Sequence, residues 1–219
     1  MRILYLIAAL TTFIVCVTGN TENYNAFAAA CQHNSINPDA LDTSYRYAIF
    51  DMSPPRTGVA QCYPGFTHME VVVGRIVTVA GGRDFQATLF DLVIDRNGNA
   101  AARNEPWRAN WHLGPDGDWR PDRDQHTWSV AGKGQVMEEY DDNYIYNIAI
   151  NEYMHAHGTT YSLLSNNCWT FALFMATRIT SEIQLQQRDL EELPTNSIAS
   201  GGQSAGAGVG VDHGVAWVA

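Results

Sequence analysis

Three runs of β-branched and aromatic residues dominate the first half of the chain: YRYAIFDMSPP (Tyr45 to Pro55), THMEVVVGRIVTVA (Thr67 to Ala80) and FQATLFDLVID (Phe85 to Asp95). Runs of this make-up predict strands. Two prolines close the first, and Gly81-Gly82 between the second and third signals a hairpin, so together they form the centre of an antiparallel sheet. Tyr24 to Ala40 predicts a short helix ending near Pro38. Arg96 to Lys133 is rich in Gly, Pro, Asp and Arg and predicts loops with short strands. A helical pattern returns from Gln135 to Ala156, with Tyr140, Tyr144 and Ile148 three and four apart, and stops at His157-Gly158. In YSLLSNNCWTFALFMATRI (Tyr161 to Ile179) an extended segment turns into an apolar helix. Asn166 or Asn167 caps it, and Phe171, Ala172, Phe174, Met175 and Ile179 form its buried face. The predicted fold is α+β, with the Cys168 helix packed on the sheet.

The 219 residues divide into residues 1–19, one main domain over 20–195, and a Gly-rich tail over 196–219. Residues 1–19 carry Arg2, an apolar run from Ile3 to Val17 and a small-residue exit, the pattern of a secretory signal peptide. This predicts a secreted, extracellular protein. No later stretch is long and apolar enough to span a membrane, so stable membrane insertion is not expected. Asp plus Glu number 23 against 13 Lys plus Arg, and this charge of −10 repels nucleic acid. Within the main domain, the insert over about 96–133 holds Trp107, Trp111, Trp119 and Trp128, which either plug a satellite core, the preferred reading, or wall a binding site.

Candidate chemistry centres on Cys168. A thiol in the first turn of a helix meets the positive end of the dipole and unpaired N–H groups, which favour thiolate and can hold an oxyanion. Removal of the leader with Cys16 leaves three cysteines, an odd number for an oxidising compartment. Pairing Cys31 with Cys62 leaves Cys168 free, although spacing does not fix connectivity. Of seven histidines, His68 opens the central strand, where a rigid sheet can aim it at a helix N-terminus. A turn at Gly81-Gly82 places Asp95 opposite His68, and a shifted register substitutes Asp91. His155, His157 and Cys168 also have ligand chemistry, but without C-x-x-C or H-E-x-x-H spacing, and neither metal nor cofactor is expected.

YRYAIFDMSPP, GFTHMEVVVG and YSLLSNNCWTFALFMATRI resemble, in this order, the opening strand, the His-bearing strand and the Asn-Asn-Cys helix of the PPPDE family. That family is a circularly permuted papain-like group related to the NlpC/P60 and lecithin retinol acyltransferase enzymes. The resemblance covers about half of the chain. It implies a permuted papain-like fold, with Cys168 as nucleophile and His68 as general base on an amide, isopeptide or ester carbonyl. Asp95 would orient the base, and Asn166 and Asn167 would serve as helix cap or oxyanion donors. Trp169 departs from the family's usual polar residue after the cysteine. With a secretion signal, the implied substrate is a protein or peptide, such as a cell-wall peptide or a host protein. A thioester-forming acyltransferase and a non-catalytic binding module using the Trp-rich insert are the alternatives.

Overall fold

The computed structural model describes residues 20–54, 67–95, 97–113, 119–121, 126–162 and 165–183. Residues 1–19, expected to be a leader, together with Cys62, the polar stretch after Ile183 and the Gly-rich tail, lie outside the described residues.

The fold is mixed α+β, built on a curled antiparallel sheet of the half-barrel kind. Its strands are β1 (Tyr47–Ser53), β2 (His68–Val79), β3 (Gly82–Ile94), β4 (Ala100–Pro106), β7 (Thr127–Val136) and β8 (Thr180–Glu182), in the order β4-β3-β2-β1-β7-β8. β5 (Trp111–Leu113) and β6 (Trp119–Pro121) form a separate two-stranded ribbon. The three predicted central strands are present. The hairpin between β2 and β3 turns one residue earlier than the Gly-Gly pair suggests: Val79 pairs with Gly82, and the turn is Ala80-Gly81. Gly81 has φ 85°, the left-handed conformation a type II turn requires at its third position.

The region expected to be loops contributes more to the sheet than its composition suggests. β7 pairs with β1 in the interior of the sheet although its sequence, TWSVAGKGQV, is polar and glycine-interrupted. Its register with β1 shifts between Tyr47 and Ile49. Gly132 there sits at φ 56°, and a Cβ on it would meet the Ala176 carbonyl oxygen at 2.7 Å. The bulge therefore needs glycine, and the glycines hide the strand. The helix expected from Gln135 begins only at Asp142, because Gln135 and Val136 complete β7.

Helices cover both faces of the sheet, where one helix on one face was expected. α1 (Glu22–His33) is capped by Thr21, whose side chain accepts from the Tyr24 N–H, and buries Tyr24, Phe27, Ala30 and Cys31. It packs against both β3 and β7, two strands separated by β2 and β1, as a short helix can where the sheet curls around it. Phe27 stacks on Phe85 at 4.3 Å, and Trp107 meets Phe85 edge-on at 6.2 Å. Cys31 is a buried free thiol in this core, at disulfide distance from no other described cysteine, and its expected partner Cys62 lies outside the described residues. Burial pushes its pKa up to about 12.

The opposite face carries α2 (Asp142–Ile148) and α3 (Cys168–Ile179). Asp141 caps α2, which continues through a π-helical segment, Ala149–Met154, and a last turn, His155–His157. Phe171, Ala172, Met175, Ala176 and Ile179 of α3 pack with Met69, Val71, Val73, Phe90 and Leu92 of the sheet. Alternation along β1 and β2 supplies both cores. Ala48 and Phe50 face α3 while Tyr47 and Ile49 face α1, and the odd-numbered residues of β2 face α3 while Val72 faces α1. No described helix is long and apolar enough to cross a membrane.

Candidate active site

Cys168 is the first residue of α3, and three supports fix that position. Asn167 is the cap: its side chain accepts from the Thr170 N–H at 3.0 Å, and the Thr170 hydroxyl stands 3.1 Å from the Asn167 N–H it accepts from, a reciprocal capping box. Tyr153 of the π-helical segment reaches Thr170 with its hydroxyl at 2.7 Å and lies edge-on to Phe171 at 5.0 Å. The Trp169 indole N–H donates to the Thr67 carbonyl at 2.6 Å, tying the first turn of α3 to the residue before His68. Trp169 thus joins helix and strand.

Asn166 does different work. Its amide nitrogen donates to the carbonyls of Thr160 at 2.9 Å, Gly158 at 3.2 Å and His157 at 3.4 Å, sewing the approach loop to the end of the preceding helix. With its N–H groups spent on carbonyls, Asn166 is neither the cap nor an oxyanion donor. The Asn167 amide nitrogen likewise points to the Ser162 carbonyl, at 3.4 Å. One donor beside the sulfur was not expected from the sequence. The Tyr161 hydroxyl donates toward Cys168 Sγ at 4.0 Å. Burial, together with its interactions with Cys168, pushes its pKa up to about 12, so it remains a donor.

His68 is the first residue of β2, so its ring meets the start of α3 at the rim of the sheet. Its Nε2 lies 3.2 Å from Glu70 Oε1 and 3.3 Å from Asp91 Oδ2, which leaves Nδ1 as the nitrogen to face the thiol. Burial alone would drive the proton off His68. The Asp91 charge and hydrogen bonds with Asp91, Cys168 and Glu70 outweigh it, and hold the imidazole pKa well above its ordinary value. Asp91 is held below the usual carboxylate range: burial works against its ionisation, but the charges and hydrogen bonds of His68 and Arg103 prevail. Glu70 goes the other way, raised by burial.

Asp95 is not the orienting group. Its carboxylate accepts from the backbone N–H groups of Asn97 and Asn99, both at 2.8 Å, in the turn after β3. The earlier hairpin turn moves the register by two, and Asp91, the alternative partner, meets the imidazole instead. Arg103 Nη2 donates to Asp91 Oδ2 at 3.1 Å. Arg103 Nε and Asp91 Oδ1, the other atoms of this pair, are both buried without a hydrogen-bond partner.

His68, Glu70 and Asp91 present ligand-type atoms within 4.8 Å of one another. The Arg103 guanidinium already supplies a cation to Asp91, so the group is also an ion-pair network. His155 and His157 are exposed at the helix end, with His157 stacked on Tyr153 at 4.3 Å.

A second buried pair adjoins the site. His126 Nδ1 lies 2.6 Å from Asp51 Oδ1, and the Trp107 indole N–H donates to Asp51 Oδ2 at 3.0 Å. Trp107 is thus a core plug, as preferred from composition, and it also anchors a buried carboxylate. Asp51 stands directly across from Glu70 in the β1–β2 register, and Trp128 across from Asp51 on β7. A polar row therefore crosses the sheet on the α1 face.

No family model, no curated protein and no solved structure matches this chain. The functional reading stands on the site itself.

Proposed function

We propose that the protein is a cysteine hydrolase that cleaves an amide or isopeptide bond in a protein or peptide substrate, using the permuted papain-like arrangement its motifs resemble. The observation that carries this is the meeting of Cys168, at a capped helix N-terminus, with an imidazole whose far nitrogen is held by carboxylates. Each part has a chemical role. The helix start and protonated His68 favour thiolate, the attacking form. The thiolate adds to the carbonyl carbon, and the negative charge moves to oxygen. The Tyr161 hydroxyl, a donor beside the sulfur, is the group to stabilise that oxygen. His68 gives its proton to the departing amine as the C–N bond breaks, leaving a thioester. It then takes a proton from water, whose attack releases the acid and restores the thiolate. Asp91, fixed by Arg103, holds the ring and supports its charged form.

Cys168 is 1% exposed, the His68 side chain 22% and Trp169 37%, so a narrow extended substrate entering past His68 and Trp169 suits the site better than a bulky one. The test begins with a small alkylating reagent near neutral pH and mass mapping. Cys168 should be modified and Cys31 spared, and His68→Ala should slow the reaction. Peptide amide and isopeptide substrates should then be turned over by the wild type and not by Cys168→Ser. Full turnover by Cys168→Ser would overturn the proposal, as would a Cys168 no more reactive than Cys31.

A further inference from the structure

The imidazole of His68 has one hydrogen on Nε2 and two carboxyl oxygens in front of it, Glu70 Oε1 at 3.2 Å and Asp91 Oδ2 at 3.3 Å. One N–H cannot serve two ionised carboxylates well, and the surroundings distinguish them. Asp91 has a second cation, Arg103 on the neighbouring strand. Among the described residues, the cationic partner of Glu70 is His68, and carboxylates stand on both sides of it. Asp51 is its cross-strand neighbour on β1, already engaged by His126 and Trp107. Asp91 lies one step beyond the Val71–Phe90 pair, which places it opposite Glu70 on β3. Three ionised carboxylates abreast on adjacent strands would repel one another at cross-strand spacing in a site with little water.

We propose that Glu70 is a positioning residue that carries its own proton in the resting protein, so that His68 is steadied by one ionised carboxylate, Asp91, and one neutral acid. The charges around the thiol then balance. Cationic His68 and Arg103 face the Cys168 thiolate and ionised Asp91, while Asp51 is paired with His126. An ionised Glu70 would add a negative charge with no cation of its own. Burial favours the neutral form, and although the hydrogen bond to His68 opposes it, the charges of Asp91 and Asp51 favour it too. The Tyr161 and Tyr153 hydroxyls, which also feel Cys168, both have their pKa pushed up and stay protonated. When pH rises far enough to ionise Glu70, a second negative charge beside Nε2 makes His68 hold its proton more tightly. Glu70 would thereby extend the imidazolium form toward alkaline pH.

The catalytic consequence rests on the thiol-hydrolase reading; the charge state of Glu70 does not, and the experiment separates them. Infrared difference spectra at neutral pH of wild type against Glu70→Gln should show a carboxylic-acid C=O band present only in the wild type. Its absence would overturn the proposal, whatever Cys168 does. In parallel, the alkylation rate of Cys168 should fall clearly less in Glu70→Gln than in Asp91→Asn, because the amide mimics the neutral acid. It should fall by about ten-fold or more in Asp91→Asn, which removes the ionised partner. Equal slowing in both variants would show both carboxyls ionised and refute the assignment. Ring-nitrogen NMR of His68 in the same variants gives an independent readout: the protonated imidazole should persist at neutral pH in Glu70→Gln and be lost in Asp91→Asn. The opposite pattern would reverse the two roles.

Discussion

Replacing Asn167 tests whether the helix cap sets both the stability of α3 and the chemistry of the residue after it. Asn167→Ala removes the acceptor that serves the Thr170 N–H at 3.0 Å and the donor to the Ser162 carbonyl at 3.4 Å. Loss of an Asn cap costs about 0.5–2 kcal/mol. Asn167 is 4% exposed, so water does not readily replace the lost acceptor, and the upper half of that range, about 1.5–2 kcal/mol, applies. With a urea slope of about 2 kcal/mol/M, the unfolding midpoint should fall by roughly 0.7–1 M at unchanged slope. Asn167→Ser keeps an oxygen acceptor and should stay within about 0.5 kcal/mol of wild type. Alkylation of Cys168 should follow the same order, several-fold slower in the alanine variant and near normal in the serine one. Equal midpoints for wild type and Asn167→Ala would refute the reasoning. So would equal losses in the alanine and serine variants, since the donor to Ser162 would then carry the effect.

Three further outcomes are expected. Tyr161→Phe should lower turnover by about ten-fold or more while leaving Cys168 alkylation within a few-fold, because an oxyanion donor acts on the acyl transition state and not on the thiolate; a parallel loss of both would assign the hydroxyl to the thiol instead. Trp107→Phe leaves the buried Asp51 oxygen without its indole donor and should destabilise by about 1.5–3 kcal/mol, the range for a hydrogen bond to a charged group, read by denaturant unfolding; a smaller change would mean water enters beside Asp51. His68 binds its proton more tightly in the folded state than at its ordinary value of 6.5, so its contribution to stability is complete below pH 6.5 and is lost as pH rises through the folded value. Asp91 has the opposite sign: its contribution is present above its ordinary value of 3.8 and is lost as pH falls through the depressed folded value. The melting-temperature difference between wild type and His68→Asn should therefore shrink as pH climbs above 6.5, and a difference that grows would contradict the assignment.

The helix of Cys168 was legible because its signals are local: a cap, a capping threonine three residues on, and an apolar face at helical spacing, which together give Cys168–Ile179. The β2–β3 hairpin was legible for a similar reason, yet a one-residue difference in the turn changed which aspartate reaches His68. A register argument is only as good as the turn that sets it. β7 was hidden because a bulged interior strand needs glycine where the Ala176 carbonyl approaches, and glycine reads as a breaker. Glu70 could have been found, since it lies two residues from His68 and period-two alternation puts both on one face. His126 could not, because its partner Asp51 is 75 positions away on another strand.

The position of the site follows from how the sheet is used. Both faces are filled by apolar cores, so a reactive thiol and a charged imidazole fit where a strand begins and a helix begins, at the rim. There His68 keeps a side chain partly open to water while its carboxylate partners stand on the enclosed α1 face. Burying Asp51 and Asp91 is tolerable because each is held by a donor set of its own, Trp107 and His126 for one, Arg103 and His68 for the other. The polar row is thus less a defect in the core than the foundation of the base. Any substitution that strips one of these carboxylates of its donors should be felt at His68 before it is felt in the fold, because in the proposed mechanism His68 is the member of the row that changes charge during turnover.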